Sequence, residues 1–326
     1  MEKSVENGSF FNEGDKERKR LTKARKQEII FICVMLFIPA LHFAVFTVYM
    51  NISTISLSFM KKNMMGDYVF LSDPFQNYKE FFRAITTSYS TFPKAVRNSL
   101  IFFALNDLVV VPLSVILTYF LYKKIWLHQV FRIVFYLPCI ISIVVMIMVY
   151  RFMFDSTIGV ADDLLRWLGL ERLIPKHGWM GTKESALGLV IGYCIWAGLG
   201  GNLIVLSAAM GRVSQDVTES AQLDGIGFFQ ELWYITIPLI GTTLGTLYMF
   251  GTTVIFSFFL QPKLITNGGP NGETVTIMMY ITDAVRGDAN DLSGAAAVGN
   301  LIAIVGTPLV FLTRWAVDKV FPSYEI

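Results

Sequence analysis

Charge is what this chain has least of. Asp, Glu, Lys and Arg make up 16% of its 326 residues, against about 25% in soluble domains, so water is a poor match for most of its surface. The formal net charge is only +2, which says little by itself and gives no positive reason to expect nucleic acid as a partner. Cys33, Cys139 and Cys194 are the three cysteines, and all lie inside apolar runs. An odd number at such depth gives buried thiols and no disulfide framework. His42, His128 and His177 are scattered, without metal-ligand spacing. A P-loop, a His-Glu-x-x-His zinc pair and a nucleophile elbow are all missing. Gly178-Trp-Met-Gly181-Thr-Lys183 has the wrong glycine spacing for a phosphate loop. These absences argue against an enzyme and against a cofactor or metal held by this chain.

Apolar residues are abundant, at 54%, and they come in runs near the ~20 residues that cross a bilayer. The expected fold is an all-α polytopic membrane protein with six transmembrane helices, at about 29–50, 98–121, 130–154, 186–210, 239–260 and 294–314. A polar tail, residues 1–28, precedes this transmembrane domain, residues 29–326. Lys16, Arg18, Lys19, Arg20, Lys23, Arg25 and Lys26 crowd just before the first run, which puts the N terminus in the cytoplasm by the positive-inside rule. Six crossings return the C terminus to the same side. Residues 74–97 mix Phe75, Tyr78, Phe81, Phe82, Ile85 and Tyr89 with charges, which fits an interfacial helix or a packed extracellular one equally. Leu137-Pro138 is expected to kink the third run. Asp107 is the one charge near the middle of a run, costing roughly 2.5–3.5 kcal/mol on insertion scales. It must face a cavity, a partner helix or a hydrogen-bonding neighbour such as Asn106.

Residues 212–238 break the apolar pattern with Arg212, Asp216, Glu219, Asp224 and Glu231, and so read as a soluble surface. Asp216 is expected to cap a short helix, with Glu219 three residues on completing a capping box. Gly225 and Gly227 interrupt it, and a second segment runs from Phe228 until Pro238 ends it. The order Glu219-Ser220-Ala221, three residues, Gly225, nine residues, Ile235-Thr-Ile237-Pro238 resembles the EAA loop of ABC-importer permeases, with Ser220 and Ile237 as the two departures. The resemblance implies a cytoplasmic coupling helix seated in an ATPase subunit, with Glu219, Ser220, Ala221, Asp224, Gly225, Ile235 and Pro238 as coupling residues.

Further stretches make residues 75–315 most similar to carbohydrate permeases of the maltose-type, first-subunit kind. They are Phe131-Arg132, Leu137-Pro138, Ile195-Trp196-x-Gly198, Leu264-Ile-Thr266-Asn-Gly-Gly-Pro270 with Thr274, and Ser293-Gly-Ala-Ala-Ala297. That resemblance implies a permease subunit of an ATP-driven importer in the plasma (inner) membrane, moving a sugar or oligosaccharide. An extracellular solute-binding protein would deliver the sugar. A paralogous permease would complete the pore, and two cytoplasmic ABC ATPase subunits would hold ATP and Mg. It also places the cavity at Cys194, Ala197, Gly198, Gly201, Gly251, Val254, Ile255 and Phe258. Only Gly198 matches the maltose-type pattern, so a cavity is implied without maltose. With the neighbouring residues, the expected pathway is Trp196, Ala197, Gly198, Gly201, Asn202, Gly251, Ile255, Phe258 and Asp107, with Trp196, Phe256 and Phe258 available to stack on a sugar ring. The alternatives are a permease for a non-sugar solute, or a secondary carrier working alone. The carrier would rest on Asp107 for ion coupling and leave the 212–238 loop unexplained.

Overall fold

The computed structural model describes residues 7–63, 65–87, 90–286 and 292–320, with side chains from Arg25 onward. The side chains of the basic run at 16–23, Tyr89 and the C-terminal residues 321–326 lie outside the described residues. Four helices are long and apolar enough to cross a membrane: Arg25–Ser58, Phe92–Tyr122, Lys183–Met210 and Leu292–Val320. Two bent pairs pass the same test when each is taken together, His128–Ile140 with Ile143–Met153 and Phe228–Leu239 with Gly241–Ser257, giving up to six crossings. The first helix buries none of its apolar window within the chain, and Ile29, Phe31, Phe37 and Phe46 all point outward. Lipid or a neighbouring subunit must be their solvent. Among the described residues, the sheet is one antiparallel ribbon, Met60–Lys62 with Tyr68–Phe70.

Three of the irregular points in these helices lie beside a proline. The pair His128–Ile140 and Ile143–Met153 meets at 110°, and the break lies at Ile141 and Ser142, whose ψ angles of 149° and 129° are extended. Pro138 sits three residues before it inside the helix. The disruption expected at Leu137-Pro138 therefore falls after the proline: the donor that Pro138 lacks would have served the turn before it, and the Ile141 N–H still closes the last turn onto Leu137 O at 3.4 Å. Pro238 does not end its helix, contrary to expectation. A π-turn, Leu232–Thr236, precedes it, with the Ile237 N–H reaching Leu232 O, and the helix continues to Leu239. Widening the turn by one residue makes room for the ring and removes the need for its missing donor. The chain then bends 77° at Ile240 into Gly241–Ser257. The same device recurs in the second apolar helix, where the π-turn Asn106–Val110 precedes Pro112.

Two apolar clusters hold the bundle together. One joins Val111, Val115 and Tyr119 to Leu206, Met210, Leu232, Ile240 and Leu244 near the 212–238 loop. Another joins Phe102, Ile147, Leu189, Tyr193 and Ile265 in the opposite half. The connecting segments there are ordered: Gln76–Thr86, Ala161–Trp167, Leu260–Ile265 and Ile277–Arg286 are helical. The Thr266–Thr276 segment is tied to the start of the second apolar helix. The buried Asn98 amide donates to Glu273 O at 2.7 Å and Val275 O at 2.9 Å. Thr266 and Thr274 share a hydroxyl hydrogen bond of 2.6 Å across the Asn-Gly-Gly-Pro turn.

Glu273 is the ionic knot of this end. Its carboxylate meets Lys94 at 2.8 Å, Arg97 at 2.8 Å and Lys183 at 3.5 Å, joining three segments of the chain. Hydrogen bonds from Lys94 first and Arg97 next hold its pKa at about 2, well below the ordinary 4.5. Because the folded value is depressed, the stability it contributes is fully present above about pH 4.5 and is lost as pH falls toward about 2. Glu273→Gln should therefore melt at lower temperature than wild type at neutral pH, and the gap should close as the pH is lowered through that window. A gap that stays constant down to about pH 2 in detergent melts would refute this role.

Candidate functional site

The break in the apolar pattern folds as two helices joined at a glycine. The first, Gln215–Leu223, is capped by Ser214, whose hydroxyl accepts from the Asp216 N–H at 3.3 Å. The cap is thus two residues earlier than Asp216, because Val213 is buried in the core and fixes where the chain emerges. Asp216 falls in the first turn, where a negative charge suits the helix N terminus, and Glu219 stands exposed rather than closing a capping box. At the other end, the Gly225 N–H bonds Gln222 O at 3.1 Å and the Ile226 N–H bonds Ala221 O at 3.2 Å. That is a Schellman closure, and Gly225, at φ +78°, occupies its left-handed position.

The helix turns Thr218 and Ala221 inward and leaves Val217, Ser220, Leu223 and Asp224 outside. Leu223 is 89% exposed, an unusual position for a leucine at the tip of a polar loop. Ser220, Ala221, Asp224 and Ile235 line one groove together with Asp216, Val217 and Ile226. Glu219 and Gly225 adjoin it in sequence, and half-buried Pro238 lies further along in the elbow.

Glu231 does not belong to the soluble surface expected of it. Its side chain is 4% exposed and pairs with Lys123 at 2.5 Å. Beside it the Tyr119 hydroxyl donates to Phe228 O at 3.0 Å, and the Phe228 ring packs on Tyr119 and Phe120. The Lys123 ammonium lies over the Tyr119 ring. The second helix of the loop is thus pinned to the end of the Phe92–Tyr122 helix by charge, hydrogen bond and ring contact at one point.

A cavity of about 490 Å³ opens further along that same helix. Cys194, Ala197, Gly198, Gly201, Val254 and Phe258 of the expected cavity set line it, together with Asn106, Tyr193, Cys139 and Gln261. The broken helix contributes Pro138, Ile141 and Ile143 to its wall. The other expected pathway residues lie beside the cavity or away from it. Trp196 stacks with Tyr150 and meets Tyr193 edge-on, and the Asn202 amide donates to the Ser114 hydroxyl at 3.4 Å. Ile255 is buried with Ala95 and Ile277, while Phe256 packs against Gly306. Asp107 is 6% exposed and accepts from the Asn106 amide at 3.1 Å. Gly251 faces that pair. Asn106 and Gln261 were not singled out as pathway residues. An amide next to the lone mid-run acid was the one sequence signal for Asn106.

The pinning contact makes a prediction. Lys123→Met strands a buried carboxylate and should destabilise the protein by about 2 kcal/mol or more, whereas Lys123→Met with Glu231→Met removes both charges and should recover most of the loss. Thermal unfolding of the three proteins in detergent reads this directly. A Lys123→Met variant as stable as wild type would show that the pair holds nothing.

Comparison with known proteins follows the same lines. The model of the binding-protein-dependent transport system inner membrane component matches residues 110–324. Probable ABC transporter permease protein YurN of Bacillus subtilis is 26% identical over 275 residues, covering 82% of this chain and 89% of its own. The arabinooligosaccharides transport system permease protein AraP of Halalkalibacterium halodurans is 26% identical over 66% of this chain and 67% of its own. A chain of the bacterial alginate ABC transporter, crystallised with an alginate pentasaccharide-bound periplasmic protein, superposes with a TM-score of 0.75 at 20% identity. That superposition covers 94% of this chain and 100% of the other, so the two share a fold. With the match extending over most of its length, the chain belongs to the family of binding-protein-dependent transport system inner membrane components, which are membrane permeases.

Proposed function

We propose that this chain is one permease subunit of an ATP-driven importer, passing a sugar or oligosaccharide handed over by an extracellular solute-binding protein. A paralogous permease forms the other half of the pore. Two cytoplasmic ATPase subunits hold ATP and Mg and perform the hydrolysis, so this chain is not itself an enzyme. Both termini and the 212–238 loop face the cytoplasm, and the Glu273 knot faces outward. The EAA motif residues form the coupling helix.

The observation that carries this reading is the helix Gln215–Leu223, which projects Val217 and Leu223 into water while its root is fixed in the core. Bare apolar side chains on an otherwise polar projection suit a cleft in a partner. Closure of the ATPase pair moves this helix, and the Phe228–Leu239 segment carries the displacement to Tyr119 and Lys123. The Phe92–Tyr122 helix then transmits it to Val110 and Asn106 on the cavity wall, roughly 20 to 25 Å from Lys123 at 1.5 Å per residue. Names of relatives such as AraP support a sugar as cargo.

Gly225→Val places a β-branched residue at a φ of +78°, at about 1–2 kcal/mol, and Glu219→Lys reverses a charge on the exposed face. Both variants should reach the membrane and bind the ATPase subunits, yet lose about tenfold or more of the uptake obtained per ATP hydrolysed. Gly225→Asn should retain most of it, since Asn tolerates the left-handed region. Assays in proteoliposomes with all partners present decide the matter, and wild-type coupling in both Gly225→Val and Glu219→Lys would overturn the reading.

A further inference from the structure

We infer that Asn106 is a specificity-determining residue that offers its side-chain carbonyl oxygen to a hydroxyl of a neutral, polyhydroxylated solute, and that Asp107 is the positioning residue that turns it that way. The inference rests on the sugar-import reading above and names how that cavity recognises its cargo.

The π-turn that precedes Pro112 begins at Asn106, with the Val111 N–H reaching Asn106 O. An extra residue in the turn changes which side chains share a face. Asn106 comes to the cavity wall beside Leu105 and Val110, whereas Asp107 is not among the lining residues. Asp107 instead packs toward the Gly241–Ser257 helix, where Gly251 makes room for it. A Cβ on Gly251 would overlap the Asp107 carboxylate and would lie 2.5 Å from Asn106 Nδ2. Any larger residue at 251 therefore displaces the acid and the amide together.

The chemistry then sets the orientation of the amide. Asn106 Nδ2 donates to Asp107 Oδ1 at 3.1 Å, and an ionised carboxylate has only acceptor capacity. The nitrogen end of Asn106 is therefore engaged by Asp107, and its oxygen end is the one available to the cavity. None of the residues lining the cavity carries a formal charge, and most are apolar. In such a site a few placed polar groups fix orientation and selectivity, and Asn106 shares that role with Gln261 and Tyr193 on the same wall. An acceptor in an uncharged, partly aromatic pocket matches a hydroxyl donor on a neutral solute better than a carboxylated one.

Proteoliposomes holding the full complex and its binding protein, supplied with arabinotriose or maltotriose and with their monodeoxy analogues, test this. Asn106→Ala should raise KM for the parent sugar about three- to tenfold, the range of one neutral hydrogen bond. Its maximal rate should hold, and the preference over the analogue lacking the recognised hydroxyl should vanish. Asp107→Asn keeps the side-chain volume but frees the Asn106 amide to flip, and should weaken the same preference. The double variant should be no less selective than Asn106→Ala. A uniform fall in rate with the parent-to-analogue ratio intact in both single variants would mean that the pair only packs the helices, and would overturn the inference while leaving sugar import standing. If the wild-type complex moves neither sugar but moves another class of solute, the import reading fails and this inference fails with it.

Discussion

Inside a bilayer every backbone N–H and C=O must find a partner within the protein, so a helix can be interrupted only where neighbours or a widened turn absorb the loss. This constraint shapes the molecule more than any single contact. Pro112, Pro138 and Pro238 each remove a donor from an apolar helix, and each lies beside an irregularity that has consequences. The π-turn before Pro112 carries Asn106 and Asp107. The break after Pro138 lends Cys139, Ile141 and Ile143 to the cavity wall. The π-turn before Pro238 lets the loop helix run on to the 77° elbow at Ile240. The cavity and the loop's elbow both lie where regular helix was given up.

The loop and the cavity share one element. The Phe92–Tyr122 helix ends at the Lys123–Glu231 pair and, about four to six turns away, lines the cavity with Phe102, Leu105, Asn106 and Val110. Its far end is held by Asn98 and by the cations around Glu273. A rigid helix fixed at both ends and open at its middle is a suitable carrier of motion. Packed interfaces of this kind move between discrete arrangements and do not deform smoothly.

Much of this was legible in the residue order. Hydropathy gives the apolar helices, and the charges between Arg212 and Glu231 mark the loop between them. What stayed hidden depends on tertiary surroundings. Ser214 and Asp216 are both good caps, and only the burial of Val213 decides between them. Glu231 looks like any loop acid until Lys123, more than one hundred residues earlier, is brought to it. A proline announces a disturbance but not its place, as the break three residues beyond Pro138 shows. Gly251 was expected to give space to a ligand, and the structure uses that space for Asp107. Trp196 and Asn202, whose glycine-rich company suggests pathway groups, have neighbours that the residue order does not show, Tyr150 and Ser114.

The central claim is that this chain is a gate moved from outside itself, through a loop built for a partner. Uptake of labelled arabinotriose into sealed vesicles, measured for the chain alone and for the chain with the proposed permease, ATPase and binding-protein partners, tests that most directly. The account predicts ATP-dependent accumulation with the full set and none with the chain alone. Accumulation driven by an ion gradient through the isolated chain would contradict it.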